Sequence, residues 1–210
     1  FNSKFAVFCF MKVKIVVFIK APKPGFVKTR LAVSLGNQEA CRAYELLAHH
    51  FLNQLSACQN VELRFTPDNA VDAMTPFLKS SHWTMKSQGE GNLGERMARA
   101  MHQALDEADA VLIFGTDCPY VESYDVETAI EALQSSEVVI GPAVDGGYWM
   151  IGFRNAEPEI FTNISWSTDQ VLGQTYDRIK KLGLNCFQLR TLEDVDDLES
   201  WERVAAMLVR

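Results

Sequence analysis

The sequence predicts a single α/β domain built on a mixed, mainly parallel sheet with helices on both faces. Strand-like and helix-like segments alternate almost throughout, which is the pattern of a doubly wound sheet. The first strand-like segment, VKIVVFI at 13–19, is a continuous β-branched and aromatic run, as expected for a strand buried on both faces of a parallel sheet. No segment has the length or composition of a linker between two domains.

The predicted elements can be placed in order along the chain. The amphipathic helix at 93–107 is a clear example, because Leu93, Met97 and Met101 recur at helical spacing. The strands are predicted at 13–19, 61–66, 83–87, 111–114, 138–141, 148–153 and 185–189. The helices are predicted at 36–58, 70–78, 93–107, 126–133, 168–182 and 197–209.

Residues 1–10 differ from the chain that follows. They are apolar and aromatic with Lys4 as the only charge, too short to span a bilayer, and no small-residue cleavage site follows them. Met11 begins a much more typical strand. We therefore expect 1–10 to be an N-terminal extension upstream of a single domain at 11–210.

The composition argues against several classes of protein. The 210 residues suffice for one sizeable core, and 48% hydrophobic with 22% charged residues is ordinary for a globular domain. The net charge of -7 argues against a general nucleic-acid binder, which would present a broad basic face. No segment reaches transmembrane length, and the five cysteines form no CxxC pair. We expect a cytoplasmic protein with reduced thiols, bound neither to nucleic acid nor to a membrane.

The loop after the first strand, KAPKPGFVKTR at 20–30, contains four cations in eleven residues. Its two prolines and Gly25 fix an extended, turning backbone that cannot be helical. Arginine binds phosphate oxygens in bidentate fashion, and lysine binds them as a point charge. The loop is not a P-loop, because Val27 stands where glycine is required. A solvated surface loop is the alternative, but the position beyond a buried strand favours phosphate binding. The predicted phosphate ligands are Lys20, Ala21, Pro22, Gly25, Lys28 and Arg30.

The segment GEGNLG at 89–94 matches the GxGxxG pattern and opens a helix. A dinucleotide-binding interpretation is weak, because the preceding strand is polar and the match lies in the middle of the chain. The favoured interpretation places Gln88 and Gly91 close to a nucleobase. Arg96, one helical turn later, then reaches a phosphate, with a surface ion pair as its alternative role.

Asp117 lies three residues beyond a buried apolar strand. A carboxylate on a rigid strand end, near basic phosphate ligands, is a natural anchor for Mg²⁺ or Mn²⁺, since substrate phosphates supply further oxygens. An Asx turn or a helix N-cap is the alternative role of Asp117. Asp194 and Asp196, ahead of the last helix, are candidates for a second metal contact.

Two further loops are candidates for the sugar or acceptor side. The segment DGGY at 145–148 lets the backbone approach a ligand closely, and Asp145 is a candidate catalytic residue. A hairpin turn is the alternative interpretation, since Asp-Gly is a strong hairpin signal. Trp166 either stacks on a substrate or packs in the core. The predicted sugar or acceptor contacts are Gly146, Gly147, Tyr148 and Trp166.

The N-termini of the last two helices have capping signals. Ser167 or Thr168 is predicted to cap the helix at 168–182. Asp196, with Glu199 three residues later, predicts a capping-box-like start of the last helix.

Together, these segments resemble a bacterial family long catalogued as uncharacterised. The motifs are FIKAPKPGFVKTRL, QGEGNLGERM, FGTDCP, GPAVDGGYWMIG, WST and DVDD, and they span nearly the whole chain after Met11. The family is similar to nucleotide-diphospho-sugar transferases and includes glycosyltransferases linked to arsenosugar biosynthesis. The resemblance implies a GT-A-type fold, the metal aspartate at Asp117, the nucleotide loop at 20–30, base contacts near Gln88 and Gly91, and acceptor-side contacts at 145–149.

The sequence departs from a typical GT-A glycosyltransferase at the metal strand. Such an enzyme carries Asp-x-Asp there, whereas the first position in this chain is Gly115 and Asp117 alone remains. This arrangement is closer to the nucleotidyltransferase pattern. The resemblance therefore leaves the type of reaction open.

Four functions follow from these observations. In the first, a nucleotide-diphospho-sugar donates its sugar to a small-molecule acceptor, with the metal and loop cations on the leaving group and Asp145 as orienting group or base. In the second, a phosphorylated acceptor attacks a nucleoside triphosphate, Lys28 and Arg30 hold the β- and γ-phosphates, and pyrophosphate leaves. The third is a non-catalytic nucleotide-binding module, and the fourth an NAD-linked oxidoreductase.

Overall fold

Seven strands form one sheet in the computed structural model, which describes residues 11–208. The predicted extension at 1–10 lies outside the described residues. The strands are β1 (Val13–Lys20), β2 (Val61–Thr66), β3 (Thr84–Ser87), β4 (Ala110–Phe114), β5 (Val138–Pro142), β6 (Tyr148–Phe153) and β7 (Cys186–Gln188). Their order across the sheet is β3-β2-β1-β4-β6-β5-β7.

The direction of β6 makes the sheet mixed. It runs antiparallel to both of its neighbours, β4 and β5, whereas the other neighbouring pairs are parallel. The carboxyl ends of six strands and the beginning of β6 therefore lie along one edge of the sheet. The predicted fold, an α/β domain with a mixed and mainly parallel sheet, is confirmed.

Burial explains the composition of the strands. All five residues of β4, AVLIF, are buried, because helices cover both faces of the centre of the sheet. The edge strand β3 instead alternates exposed and half-buried residues, which accounts for its polar sequence.

Six α-helices connect and cover the strands. On one face, α3 and α5 contribute Met97, Met101 and Ile179 to the core, while on the other α1 and α4 contribute Phe51 and Val126. None of the helices within 11–208 is both long and apolar enough to cross a membrane. The helices are α1 (Thr29–Gln54), α2 (Val71–Met74), α3 (Leu93–Leu105), α4 (Ser123–Ala132), α5 (Val171–Lys181) and α6 (Leu198–Leu208).

The helix α1 begins seven residues earlier than predicted. The prediction placed its start at Gly36, and the structure places a kink there, with a φ of 80° that interrupts the helical backbone. Thr29–Gln54 is therefore one element in two helical parts, and the first part directly follows the basic loop.

The predicted caps of the last two helices are wrong. The helix α6 is capped by Asp197 rather than Asp196, since the Ser200 N–H donates to Asp197 Oδ1 at 2.9 Å. The helix α5 begins at Val171, so Ser167 and Thr168 lie ahead of its first turn, and Ser167 has a left-handed φ of 64°. The segment before α5 is a structured loop, not a helix N-terminus.

Candidate functional site

A cavity of about 880 Å³ opens at the edge of the sheet where the parallel strands end. Its base includes Lys20 of β1, Thr66 of β2 and Phe114 of β4, and loops from both faces surround it. A volume of this size is typical of small-molecule and cofactor sites, which in open α/β sheets lie at this edge.

The cavity brings together eleven of the predicted site residues and leaves six outside its lining. The lining includes Lys20, Lys28, Arg30, Gln88, Arg96, Asp117, Asp145, Gly147, Tyr148, Trp166 and Asp196. The residues outside the lining, all in loops next to it, are Ala21, Pro22, Gly25, Gly91, Gly146 and Asp194.

The basic loop is anchored where it leaves β1. The Tyr44 hydroxyl of α1 accepts the Lys20 N–H at 2.7 Å and donates to the Lys20 carbonyl at 3.0 Å. Burial, and next the charge of Asp117, raise the pKa of Tyr44, so its hydroxyl keeps the proton that this second bond requires. Gly25, with a φ of 82°, then turns the loop in a conformation that favours glycine.

Lys28 lies at the centre of a group of carboxylates. Its side chain is 4% exposed, and its Nζ lies 2.5 Å from Asp117 Oδ1 and 3.7 Å from Asp196 Oδ1. The same ammonium donates to the Val195 carbonyl at 2.5 Å. Pairing of this kind offsets the cost of burying an ammonium. The predicted phosphate ligand is thus held next to the predicted metal ligand.

Arg30 and Arg96 differ in their partners. Arg30 Nη1 lies 3.3 Å from Asp196 Oδ2 and is largely exposed. The bonds of Arg96 go to the Gly91 carbonyl at 2.8 Å and to Gln88 Oε1 at 3.3 Å, rather than to a carboxylate. Arg96 therefore lines the cavity without an opposite charge among these partners.

Gln88 is buried and ties the ends of the strands together. Its Nε2 donates to the Arg64 carbonyl of β2 at 2.9 Å and to the Ile19 carbonyl of β1 at 3.4 Å. The side chain thus holds its position through the backbone, and its contact with a base stays a prediction.

The loop between β5 and β6 is a hairpin connection, and Asp145 and Gly147 of this loop line the cavity. Contact of the DGGY segment with a ligand stays a prediction. Asp145 Oδ1 accepts the Gly147 N–H at 2.9 Å, which closes the turn. The Leu172 N–H of α5 donates to the Gly146 carbonyl at 2.8 Å and joins this loop to the segment before α5.

The segment before α5 forms the adjoining part of the wall. Trp166 packs against Phe161, with ring centroids 6.4 Å apart, and also lines the cavity. Its Nε1 approaches α3 so closely that a Cβ on Gly94 would lie 2.9 Å away. Ser167, Thr168 and Asp169 complete this wall.

The middle of the chain matches the model of a protein family. Residues 51–168, more than half of the chain, match the DUF2064 family, described as uncharacterized protein conserved in bacteria. The chain belongs to this family. Among curated proteins, no sequence matches the DUF2064 chain.

Solved structures relate the DUF2064 chain to nucleotide-dependent transferases. A protein from Desulfovibrio desulfuricans G20, provisionally named a nucleotide-diphospho-sugar transferase, is 28% identical with a TM-score of 0.83, over 94% of this chain and 96% of the other. A cytidylyltransferase from Leptospira borgpetersenii serovar Hardjo-bovis is 14% identical with a TM-score of 0.62, over 95% and 87%. A CMP:2-keto-3-deoxy-manno-octonic acid synthetase complexed with CTP is 13% identical with a TM-score of 0.60, over 94% and 98%. The predicted fold type of nucleotide-diphospho-sugar transferases is confirmed.

The acidic residues of the DUF2064 chain offer oxygen ligands for a divalent cation. Asp194 Oδ1 is buried without a hydrogen-bond partner among residues 11–208, and the neighbouring Val195 N–H donates to the Asp117 carbonyl at 3.0 Å. Burial, and next the charge of Asp117, raise the pKa of Asp194 to about 8. A cation shared with Asp117 would remove the cost of this buried carboxylate.

Carboxylate oxygens are the ligand type that magnesium and manganese prefer in proteins. Within the described range, no group of three or more His, Cys, Asp or Glu is arranged to hold a metal ion. Magnesium needs only one or two carboxylates when phosphate oxygens complete its coordination. A protein of this fold, Rv0371c of Mycobacterium tuberculosis H37Rv, forms a complex with manganese, at 13% identity and a TM-score of 0.53 over 92% of this chain and 97% of the other.

The glycine loop of the DUF2064 chain lacks the setting of a dinucleotide fingerprint. It follows the edge strand β3, and Asn92 and Glu95 form a reciprocal capping box at the start of α3. A Cβ on Gly91 would lie 2.5 Å from Glu95 Oε2, so the glycine accommodates this cap. These side chains occupy the N–H groups that a pyrophosphate would use at a helix N-terminus.

Several lining residues were not predicted as site residues, among them Tyr44 and Asp169. Tyr44 resembles an ordinary core residue of an amphipathic helix, and only the fold brings its hydroxyl to the end of β1. Asp169 was assigned to a helix N-terminus together with Thr168. The run of polar residues directly after Trp166 was the available signal for a binding loop.

Proposed function

We propose that this protein is a metal-dependent transferase that uses a nucleotide-diphospho-sugar as glycosyl donor and a small molecule as acceptor. The observation that carries the proposal is that one cavity is lined by residues of the basic loop together with Asp117, Asp145 and Tyr148. The 28% identical protein that is provisionally named a nucleotide-diphospho-sugar transferase supports it.

In this proposal the nucleotide half of the cavity lies over β1, β2 and β3. Lys20, Arg30 and Arg96 line that half, and their charges attract the diphosphate. Lys28 places its charge beside Asp117, where the leaving diphosphate gains negative charge during the reaction. Gln88 and the glycine loop border the base.

The metal ligands in this proposal are Asp117 and Asp194. Asp194 is the better second ligand, because its Oδ1 has no partner among the described residues, whereas Asp196 is engaged by Lys28 and Arg30. A bound Mg²⁺ or Mn²⁺ supplies Lewis-acid stabilisation of the leaving diphosphate.

The proposed reaction transfers one glycosyl group. The bond between the anomeric carbon and the β-phosphate oxygen breaks, and a bond forms between that carbon and the acceptor oxygen. The acceptor hydroxyl loses its proton to the Asp145 carboxylate, and the nucleoside diphosphate leaves. Asp145 lines the cavity from the loop before β6, and the proposal assigns it to the acceptor.

Nucleotidyl transfer is the second candidate. It is favoured by Gly115, which stands where a GT-A glycosyltransferase carries the first aspartate of Asp-x-Asp, and by the fold shared with a cytidylyltransferase. In this reaction a phosphorylated acceptor attacks the α-phosphate of a nucleoside triphosphate, and pyrophosphate leaves. The two reactions therefore differ in their released product.

The test combines ligand binding with product analysis. A calorimetric or thermal-shift panel of nucleotides and nucleotide-sugars, each with Mg²⁺, Mn²⁺ or chelator, identifies the donor. Release of nucleoside diphosphate together with glycosylated acceptor supports glycosyl transfer, whereas pyrophosphate release supports nucleotidyl transfer. Binding without turnover indicates a non-catalytic module, and stabilisation by NAD that chelator does not change contradicts the proposed site.

A substitution of Asp117 tests where metal-dependent nucleotide binding takes place. Asp117→Ala is expected to abolish metal-dependent nucleotide binding without loss of the fold, which circular dichroism checks. Asp106→Ala is the matched control, because Asp106 is exposed at the C-terminal end of α3, away from the cavity lining. Near wild-type affinity of Asp117→Ala for nucleotide with Mg²⁺ would show that the site is misplaced.

A further inference from the structure

The charges that line the cavity are divided along the chain. The lining cations are Lys20, Lys28, Arg30 and Arg96, which all precede β4. The lining carboxylates are Asp117, Asp145, Asp169 and Asp196, which all follow β4. In space, Lys28 and Arg30 reach Asp117 and Asp196, whereas Arg96 bonds to Gln88 beyond the end of β3.

Two of the four carboxylates are paired with the cations. Asp117 pairs with Lys28, and Asp196 with Lys28 and Arg30. Asp145 and Asp169 form no ion pair with any residue in the described part of the chain, and the Asp145 carboxylate instead accepts a backbone N–H. The wall that carries Asp145 and Asp169 therefore keeps its negative charge.

These two carboxylates are held on adjacent loops. The Gly146 carbonyl accepts the Leu172 N–H at 2.8 Å, which fixes the β5–β6 loop against the segment that contains Asp169. Trp166 and the half-buried Tyr148 line the same end of the cavity and give it aromatic surface. This end thus combines aromatic rings with carboxylates that have no ion pair among the described residues, and the lining cation next to it on α3, Arg96, bonds instead to Gln88 and the Gly91 carbonyl.

We propose that this end of the cavity accepts hydroxylated acceptors without negative charge and discriminates against phosphorylated and carboxylated ones. Asp145 and Asp169 are the specificity-determining residues, and the inference rests on the proposed glycosyl transfer. Hydroxyl groups donate hydrogen bonds to carboxylates, whereas an anionic acceptor meets two like charges that form no ion pair with a lining cation of the described chain. The aromatic rings cover the apolar face of the acceptor.

The charge of the acceptor distinguishes the two candidate reactions. Nucleotidyl transfer to a phosphorylated acceptor requires cations on the acceptor side, because the incoming phosphate must be bound next to the reacting phosphate. Among the described residues, the lining cations Lys28, Arg30 and Arg96 instead bond to groups other than Asp145 and Asp169. An acceptor without negative charge therefore fits glycosyl transfer and not nucleotidyl transfer to a phosphorylated acceptor.

The first measurement tests the proposed function alone. The nucleotide-sugar with the largest metal-dependent thermal shift is incubated without acceptor, and its slow hydrolysis to nucleoside diphosphate is followed with Mg²⁺ and with chelator. Metal-dependent release establishes the donor half of the site. If no release and no metal-dependent binding occur, the proposed function fails, and the inference fails with it.

The second measurement tests the acceptor class. Matched pairs at constant ionic strength, such as glucose with glucose 6-phosphate, glycerol with glycerol 3-phosphate, and glucose with glucuronate, are compared for stimulation of nucleoside diphosphate release. We expect the uncharged members to stimulate release about tenfold or more over their anionic counterparts. Equal or greater stimulation by the anionic members, or no stimulation by any uncharged member, would overturn the inference while leaving donor hydrolysis in place.

Reversing the charge of Asp169 tests whether this residue discriminates between phosphorylated and uncharged acceptors. Asp169→Lys is expected to raise the ratio of rates with phosphorylated and uncharged acceptors by about tenfold. Asp177→Lys is the matched control, because Asp177 is exposed on α5 and outside this cavity lining, and it should leave the ratio unchanged. An unchanged ratio in Asp169→Lys, with donor hydrolysis intact, contradicts the role of Asp169.

Discussion

A Cβ atom on Gly146 would lie 2.2 Å from the carbonyl oxygen of Asp169. Gly146 also has a φ of 87°, a conformation that side chains other than glycine rarely adopt. The loop between β5 and β6 and the segment before α5 therefore fit together backbone against backbone. The shape of the proposed acceptor end, the part of the cavity lined by Asp145, Tyr148, Trp166 and Asp169, depends on the absence of a side chain at this one position.

Gly146→Ala should disturb the acceptor end and spare the nucleotide half. The new methyl group displaces the Asp169 backbone, so we expect acceptor-dependent turnover to fall about tenfold or more, with nucleotide affinity changed less than about threefold. Steady-state kinetics and calorimetry measure the two effects separately. Equal losses in turnover and in nucleotide affinity would contradict the division of the cavity.

The control for this substitution is Gly173→Ala. Gly173 lies inside α5, and a Cβ there would meet no atom within 4 Å. Alanine favours a helix by about 1 kcal/mol over glycine, so this variant should be equally or more stable and fully active.

Lys28→Met should destabilise the metal-free protein. The substitution leaves Asp117 and Asp196 close together without the ammonium that they share. We expect a loss of about 1–3 kcal/mol in the free energy of unfolding, measured with urea at neutral pH in chelator. Adding Asp117→Asn should recover part of the loss, with a coupling of about 1 kcal/mol between the two positions. Additive effects would show that the pair contributes little to stability.

Asp194 should make the stability of the metal-free protein depend on pH. Its pKa is about 8 in the folded protein against an ordinary value of 3.8, so between these values the folded state binds the proton and the unfolded state does not. The contribution of Asp194 is therefore present at low pH and is lost as the pH rises toward about 8. The measurement compares urea unfolding of the wild type and of Asp194→Asn, from about pH 5 to about pH 8, in chelator. The stability of the wild type should fall relative to the variant, and parallel profiles would contradict the burial of an uncompensated carboxyl.

Tyr44→Phe should weaken nucleotide binding through the basic loop. The hydroxyl bonds both the N–H and the carbonyl of Lys20, and its loss leaves these groups without that partner. We expect a loss of stability of about 1–3 kcal/mol and weaker binding of nucleotides by calorimetry. Tyr124→Phe is the control, since Tyr124 is 67% exposed on α4. An unchanged nucleotide affinity of Tyr44→Phe would show that the hydrogen bonds from Tyr44 to Lys20 do not contribute to nucleotide binding.

The fold could be predicted from the sequence because the central strands are continuous apolar runs. The run AVLIF in β4 is apolar at every position, and all five residues are buried between two helical layers. The alternation of such runs with amphipathic helices limits the chain to a doubly wound sheet. The ends of the helices were harder to predict. At Gly36, the predicted start of α1, the structure has helical backbone on both sides of a residue with a φ of 80°.

The caps were mispredicted because neighbouring residues offer the same chemistry. In the DVDD segment, Asp196 and Asp197 are both good N-caps, and tertiary contacts decide between them. Asp196 is drawn to Lys28 and Arg30, which leaves Asp197 to accept the Ser200 N–H. A choice set by residues some 166 positions away in sequence is not visible in a local pattern.

The chemistry of the site was only partly accessible for the same reason. The spacing of residues indicated that Lys28 and Asp117 meet ligands at one edge, and it did not indicate that they pair with each other at 2.5 Å. The approach of Gly146 to Asp169 joins two loops whose proximity depends on the reversed direction of β6. Contacts of this type arise from topology.

The reversed strand also bears on how such an enzyme changes its substrate during evolution. Because β6 returns beside β5, a five-residue connection between them, at 143–147, supplies much of one cavity wall. Hairpin connections tolerate insertion and deletion better than the strands that they join. A change in the length of this one connection reshapes the acceptor end, while the strand ends that carry Lys20 and Asp117 stay in place. Acceptor preference can therefore diverge between relatives that retain the same donor.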